Sequence, residues 1–159
     1  MLARLVTLLL VLAFIVGCGS DSPAGPGGPG GPANGSMTAQ IDGTGWSATV
    51  ITPAMAASGS GGASVISGGS PAGAIAFAWF DEGPGTYTIP TSIGFNGNMN
   101  VASGATWGAS HAQGSGTLVV TTRTANRIVG TFQFVMHPAP NSGVTGIRTI
   151  SSGAFDITF

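Results

Sequence analysis

The sequence is poor in charged residues and contains no lysine. Only 6% of its 159 residues are charged, whereas about 25% is usual for soluble domains. Basic side chains that neutralise phosphates supply most of the non-specific affinity for nucleic acids. Because no basic patch is present, the sequence predicts no nucleic-acid partner. Solubility must then come from Ser, Thr, Asn and Gln side chains and from exposed backbone.

Cysteine and histidine are also scarce. Cys18 is the single cysteine, so it cannot form an internal disulfide, and the two histidines, His111 and His137, lie far apart. A metal site built from clusters of cysteine and histidine is therefore excluded, and we predict no metal and no cofactor. No stretch after residue 36 keeps an apolar period of 3.6 residues, so helices should be rare.

The N-terminal residues have the layout of a secretory signal. Arg4 precedes an apolar run over residues 5–16, which ends at Gly17. The run is shorter than the about 20 apolar residues that a spanning helix needs. Cys18 stands where this run meets a polar stretch. A lone thiol in an oxidising compartment is reactive unless it is consumed, which favours modification of Cys18.

The segment Ile15-Val16-Gly17-Cys18 resembles the lipobox of bacterial lipoproteins. The resemblance implies that Gly17 is the last residue removed and that Cys18 is acylated and becomes the mature N-terminus. Two or more acyl chains give a stable anchor, so the partner is a membrane and the location is the cell envelope. Gly19 is not the aspartate that retains some lipoproteins at the inner membrane. The outer membrane is therefore favoured, with its periplasmic and surface faces both open. The alternative is an ordinary signal peptide with an incidental cysteine.

The sequence divides into three parts. Residues 1–17 are predicted to be a lipoprotein signal peptide. Residues 18–36 contain the lipidated cysteine and a linker of mostly Gly, Pro, Ser and Ala, which has no large apolar side chain and cannot form a core. Residues 37–159 are enough for one domain with a real core and too few for two.

The predicted domain reads as a succession of short strands. Runs rich in β-branched and aromatic residues, bounded by Gly, Pro, Asn and Ser, are typical of strands. They cover residues 37–41, 46–51, 63–67, 74–80, 86–89, 104–110, 117–122, 128–136, 144–150 and 154–159. Asp42-Gly43 predicts a tight hairpin turn, while 92–103 is less regular and contains a polar loop. We therefore predict an all-β fold, a single antiparallel β-sandwich or barrel of nine or ten strands.

Several short motifs support this fold class. A Gly-x-Phe pattern occurs at Gly130 and at Gly153, which suggests neighbouring strands. The domain resembles a family of uncharacterised bacterial lipoproteins, and this resemblance implies a β-sandwich or barrel without indicating an activity. The motifs that carry it are Asp42-Gly43 with Trp46; Gly116, Leu118, Val120 and Thr121; Ile128, Gly130, Phe132 and Phe134; and Gly153, Phe155 and Ile157.

No set of residues with the pattern of a catalytic site is recognisable. Asp81 and Glu82 are adjacent, so their side chains point apart on an extended chain, and both are predicted to lie in a solvated turn. His111 and His137 are predicted to lie in loops. We therefore predict no catalytic residue and no enzyme activity. A hydrolase that works through Asp81, Glu82 or His111 is the least favoured alternative.

The aromatic residues suggest one further alternative. Trp79 and Phe80 are consecutive and must face opposite sides of a strand. An exposed Trp79 or Trp107 could stack on sugar rings, which would make the domain a carbohydrate-binding module. The leading hypothesis is a membrane-tethered, non-catalytic binding or structural module of the cell envelope, with a glycan or an envelope protein as its partner.

Overall fold

The computed structural model describes residues 33–159, and Gly17 and Cys18 lie outside this range. The described chain is all-β, which confirms the predicted fold class, and it has eleven strands. They are β1 (Asn34–Ile41), β2 (Thr44–Ser47), β3 (Val50–Ala54), β4 (Gly62–Ser70), β5 (Gly73–Asp81), β6 (Gly85–Ile89), β7 (Asn96–Asn100), β8 (Thr106–Ala109), β9 (Ser115–Arg123), β10 (Arg127–Pro138) and β11 (Arg148–Thr158).

All strands pair antiparallel in one sheet that curls into a half-barrel. Strand β10 joins two halves of this sheet. Along most of its length it pairs with β9 and β11, and at its end it pairs with β8. The first half has the order β2-β1-β11-β10-β9-β6, and the second half has the order β8-β7-β5-β4-β3.

The core lies between the two halves. The ring centroid of Phe77 on β5 lies 5.0 Å from that of Phe132 on β10 and 5.7 Å from that of Phe155 on β11. Strand β5 shows why the chain folds this way, because its large side chains at alternate positions are buried and the alanines between them face outward. Burial of these aromatic side chains stabilises the contact between the halves.

The first hairpin confirms the predicted turn. Asp42 and Gly43 connect β1 to β2, and both have positive φ angles, 49° and 81°. A two-residue turn of this kind suits the twist of the flanking strands and favours Asp-Gly. The Asp42 carboxylate also accepts a hydrogen bond from the backbone N–H of Thr149, at 2.8 Å, which connects the turn to β11.

The largest differences between the predicted and the observed strands are four. The predicted strand 46–51 is divided between β2 and β3, and the last two predicted strands form the continuous β11. The prediction missed β7, which lies within the stretch 92–103. Its asparagines face outward and alternate with buried Gly97 and Met99, so the segment does not show the usual pattern of large apolar residues. Strand β1 begins at Asn34, before the predicted start of the domain at residue 37.

Glycines and phenylalanines on β10 and β11 pack against each other reciprocally. Gly130 is opposite Phe155 and Gly153 is opposite Phe132, which confirms that the two Gly-x-Phe motifs lie on neighbouring strands. A Cβ atom added to Gly130 would lie 2.6 Å from Cζ of Phe155, and one added to Gly153 would lie 2.7 Å from Cδ2 of Phe132. Each glycine therefore leaves the space that a ring on the next strand fills.

Two edge strands are protected against further strand pairing. Pro53 on β3 has no N–H to donate, and the carbonyl of Ile51 accepts a hydrogen bond from the Ala33 N–H at 3.3 Å. On β6, the N–H of Thr88 donates to the Ser92 hydroxyl at 2.9 Å, and the N–H of Ser92 donates to the carbonyl of Thr88 at 2.6 Å. Such features discourage the addition of a foreign strand. Within residues 33–159 no helix is long and apolar enough to cross a membrane.

Candidate functional site

The two tryptophans proposed as sugar platforms are buried, so that prediction is wrong. Trp79 is 1% exposed and Trp107 is 4% exposed. Trp79 occupies an inward position of β5, and its neighbour Phe80 takes the exposed one. The indole N–H of Trp107 donates to the carbonyl of Gly146 at 3.0 Å, and the Arg148 guanidinium carbon lies 4.8 Å from the ring centroid. Neither ring is open to a ligand.

Asp81 is not a solvated turn residue, which corrects a second prediction. Its side chain is completely buried, and its Oδ2 accepts a hydrogen bond from Nε of Arg123 at 2.6 Å. The carboxylate also accepts from the Ser64 hydroxyl at 3.3 Å and from the Gly83 N–H at 3.0 Å. Burial of a carboxylate requires such partners, and the sequence offered no sign that Arg123 would supply one.

Arg123 extends this network to two loops. Its guanidinium donates to the carbonyls of Ala56, in the loop between β3 and β4, and of Thr124, at the end of β9. The ion pair therefore connects both halves of the sheet. Since the charged groups are enclosed and bonded to each other, we interpret this network, the buried clasp of Asp81, Arg123 and Ser64, as structural.

A buried phenol lies beside the clasp. The Tyr87 hydroxyl donates to the carbonyl of Gly83 at 2.6 Å and accepts from the backbone N–H of Glu82 at 3.2 Å. Burial raises the pKa of Tyr87 above its ordinary value. The phenol is therefore neutral at physiological pH and holds the turn between β5 and β6 against the core.

The structure does not bring the candidate acid and base residues together. Nδ1 of His111 lies 2.7 Å from the carbonyl oxygen of Pro90, whereas Asp81 is enclosed in the clasp. His137 is exposed on the last part of β10, opposite Gly108, so it belongs to a strand and not to a loop. In the part of the chain that the structure describes, no three His, Cys, Asp or Glu side chains are grouped as metal ligands would be.

The remaining arginines are neutralised at the surface. Arg127 makes two hydrogen bonds to Asp156, at 2.9 Å and 2.7 Å, and Arg148 pairs with Asp42. The paired guanidinium lowers the pKa of Asp156, and the pKa of Asp42 is lowered first by the Thr149 N–H and then by Arg148. Across residues 33–159 every arginine thus pairs with an aspartate. The surface offers little attraction to a charged ligand.

The outer face of β9, β10 and β11 has a shallow polar groove of about 340 Å³, which we call the outer groove. A register shift on β11, where Ser152 has a φ of 50°, interrupts the regular pairing beside it. Its lining contains no charged side chain. The residues are Thr117, Val119, Thr131, Phe132, Gln133, Ser152, Gly153 and Ala154.

A second, wider depression of about 460 Å³ lies further along the same face. It is lined by the Arg127 and Asp156 pair together with Asn34, Ser36 and Thr158.

Hydroxyl and amide groups in the outer groove can both donate and accept hydrogen bonds, which suits a neutral polar ligand. The sequence analysis missed this face, although polar residues alternate with buried ones along β9 and β10.

Comparison with known families agrees with the extent of this domain. A family model described as a domain of unknown function, DUF6252, matches residues 33–156. The chain belongs to the DUF6252 family. The match begins one residue before β1 and ends within β11, so it covers nearly the whole curled sheet. No curated protein and no solved structure matches the chain significantly.

Proposed function

We propose that this DUF6252 protein is a lipoprotein of the bacterial cell envelope, anchored through Cys18, with its β-domain acting as a non-catalytic binding or structural module. The observation that carries the proposal is the position of Cys18, the single cysteine, between an apolar run and a Gly- and Pro-rich stretch. The first strand that the structure describes, β1, begins at Asn34, within the last residues of that stretch. This order suits a membrane anchor, a spacer and a folded domain.

The arrangement of charge supports a non-catalytic role. Asp81 is held by Arg123, and His111 contacts a backbone carbonyl, so neither is positioned as an acid or base beside the other. General acid-base catalysis requires such groups within hydrogen-bonding reach of one reacting site.

Labelling with a radioactive fatty acid tests the anchor. The wild-type protein should incorporate the label and sediment with membranes, whereas Cys18→Ser should incorporate none and should leave an unprocessed or soluble form, because the thiol sulfur is the atom that receives the diacylglyceryl group. Ser20→Ala is the matched control, since it changes a nearby polar residue without removing the thiol. Persistent labelling of Cys18→Ser would contradict the proposal.

The outer groove favours a second, more specific function, which is binding of a neutral glycan. Thr117, Thr131 and Gln133 provide hydroxyl and amide groups on one face, and the groove has no charged lining residue. Neutral sugars present hydroxyl groups that pair with such donors and acceptors. Glycan binding in the outer groove does not require Trp79 or Trp107, which are buried.

Calorimetric titration with chitohexaose and maltohexaose tests glycan binding. Binding should weaken by about tenfold in Thr131→Val or Gln133→Ala, since each removes a polar group worth about 1.4 kcal/mol in a bound complex. Thr52→Val is the control, because Thr52 is exposed on β3 in the other half of the sheet. Absence of heat with both sugars, or equal weakening by Thr52→Val, would reject this candidate.

A further inference from the structure

We propose that two copies of this chain associate through one surface, which we call the dimer face. It consists of the outward-facing residues of β3, β4, β5, β7 and β8, together with Ile93 in the loop before β7. Its apolar centre is formed by Val65, Phe80 and Ile93. The proposal names a second copy of the chain as a partner, and it depends neither on the anchor at Cys18 nor on glycan binding.

The strand register places Val65 and Phe80 side by side. Val65 on β4 is opposite Ala78 on β5, and Phe80 is two positions further along β5. All three side chains point away from the core, because they alternate with buried residues on their strands. Val65 and Phe80 are therefore diagonal neighbours about 7 Å apart, which is within reach of an aromatic ring.

The loop between β6 and β7 extends this apolar cluster. The Phe80 ring lies against Gly94, where an added Cβ atom would be 2.5 Å from Cε2 of the ring. Ile93 precedes Gly94 and is 84% exposed, and Phe80 is 42% exposed. Two large apolar side chains thus face solvent beside each other. Contiguous exposed apolar groups are typical of protein interaction sites.

Two other exposed apolar side chains have charged neighbours, which sets them apart from this cluster. The Arg123 guanidinium carbon lies 5.4 Å from the ring centroid of Phe159. Ile147 directly precedes Arg148, which pairs with Asp42. Covering either of them would also bring a charged group into the contact, and that has a desolvation cost.

The outward positions of the five strands of the dimer face carry no charged side chain. Their polar residues have groups that can both donate and accept hydrogen bonds. These residues are Thr52, Ser67, Asn96, Asn98, Asn100 and Thr106. In a two-fold dimer the same surface faces itself, so groups of this kind can pair with their own copies and no like charges repel. This favours a second copy as the occupant.

The size of the dimer face suits a weak dimer. Strands β4 and β5 have nine residues each, β3 and β7 have five, and β8 has four. At about 3.3 Å per residue and about 4.8 Å between strands, the face covers about 500 Å² in each copy. A total of about 1,000 Å² is the lower limit for a specific interface and exceeds most crystal contacts. We therefore expect a dissociation constant in the micromolar range.

Sedimentation equilibrium of the full-length chain in density-matched detergent measures the association. The protein mass should rise from one copy to two across the micromolar range. Val65→Arg should raise the dissociation constant by about tenfold or more, because it buries a charge without a partner. Thr131→Arg is the matched control, since Thr131 is exposed on β10 in the other half of the sheet. Phe80→Ala should weaken the dimer similarly without adding charge, and an unchanged urea midpoint shows that each variant is folded.

Photo-crosslinking in intact cells identifies the partner. With p-benzoylphenylalanine in place of Phe80, the chain should give an adduct of twice its own mass, whereas the same probe at position 131 should not. An adduct with another molecule alone, or no adduct at position 80, would overturn the proposal. So would a wild-type chain that remains a single copy at about 100 μM, or a dimer that Val65→Arg and Phe80→Ala weaken no more than Thr131→Arg does.

Discussion

Removal of the Arg123 guanidinium should strongly destabilise the domain. In Arg123→Met the side chain keeps much of its volume, but the Asp81 carboxylate stays fully buried with only Ser64 and Gly83 as donors. Loss of one partner from a buried ion pair costs about 3 to 5 kcal/mol, because the other charge is left uncompensated. That is a large part of the total free energy of unfolding of a domain, about 5 to 15 kcal/mol.

Urea denaturation followed by tryptophan fluorescence measures this effect. With a slope of about 2 kcal/mol per molar urea, the midpoint should fall by on the order of 2 M. The double variant Asp81→Leu with Arg123→Met should recover most of the loss, because it buries no unpaired charge. Recovery would show that the cost arises from charge and not from altered packing.

Arg127→Met provides the matched control for the buried pair. Arg127 also pairs with an aspartate, but both side chains are about half exposed, so solvent screens the pair and its removal should lower the urea midpoint much less than Arg123→Met does. If Arg123→Met lowers the urea midpoint no more than Arg127→Met does, the structural role assigned to the buried clasp is incorrect.

Two further predictions concern β10 and the first hairpin. Gly130→Ala should lower the free energy of unfolding by about 1 to 3 kcal/mol, because its Cβ would lie 2.2 Å from the backbone carbonyl oxygen of Val119 and 2.6 Å from the Phe155 ring, whereas Gly69→Ala meets no atom within 4 Å and should have little effect in the same urea assay. Asp42 has a lowered pKa in the folded state, so its stabilising contribution is present above its ordinary value of 3.8 and is lost as pH falls through the folded value. Asp42→Asn keeps a residue suited to the turn and should reduce the loss of stability on acidification; an unchanged acid slope would contradict this assignment.

Local patterns were sufficient to predict the elements that depend on near neighbours. The positive φ angles of Asp42 and Gly43 are those that an Asp-Gly hairpin turn requires. The alternation of large and small side chains in β5 likewise predicts that Ile75, Phe77 and Trp79 share one face of the strand. The two Gly-x-Phe motifs predicted the pairing of β10 with β11 because each ring needs the space that a glycine leaves.

Contacts between distant segments could not be predicted in this way. Asp81 and Arg123 are 42 residues apart, and each looks like an ordinary polar residue at the end of a strand. Burial of Trp107 depends on Gly146 and Arg148 in the segment after β10. The outer groove requires three strands in register together with the irregularity at Ser152. These features follow from the topology of the sheet and have no local sequence pattern.

Mass spectrometry of the mature N-terminus, from protein purified out of bacterial membranes, tests the central claim most directly. The lipobox reading predicts that the chain begins at Cys18 and that this residue carries the mass of a diacylglyceryl group, with or without a further acyl chain. A mature chain that begins at another residue, or one in which Cys18 retains a free thiol, would contradict the claim.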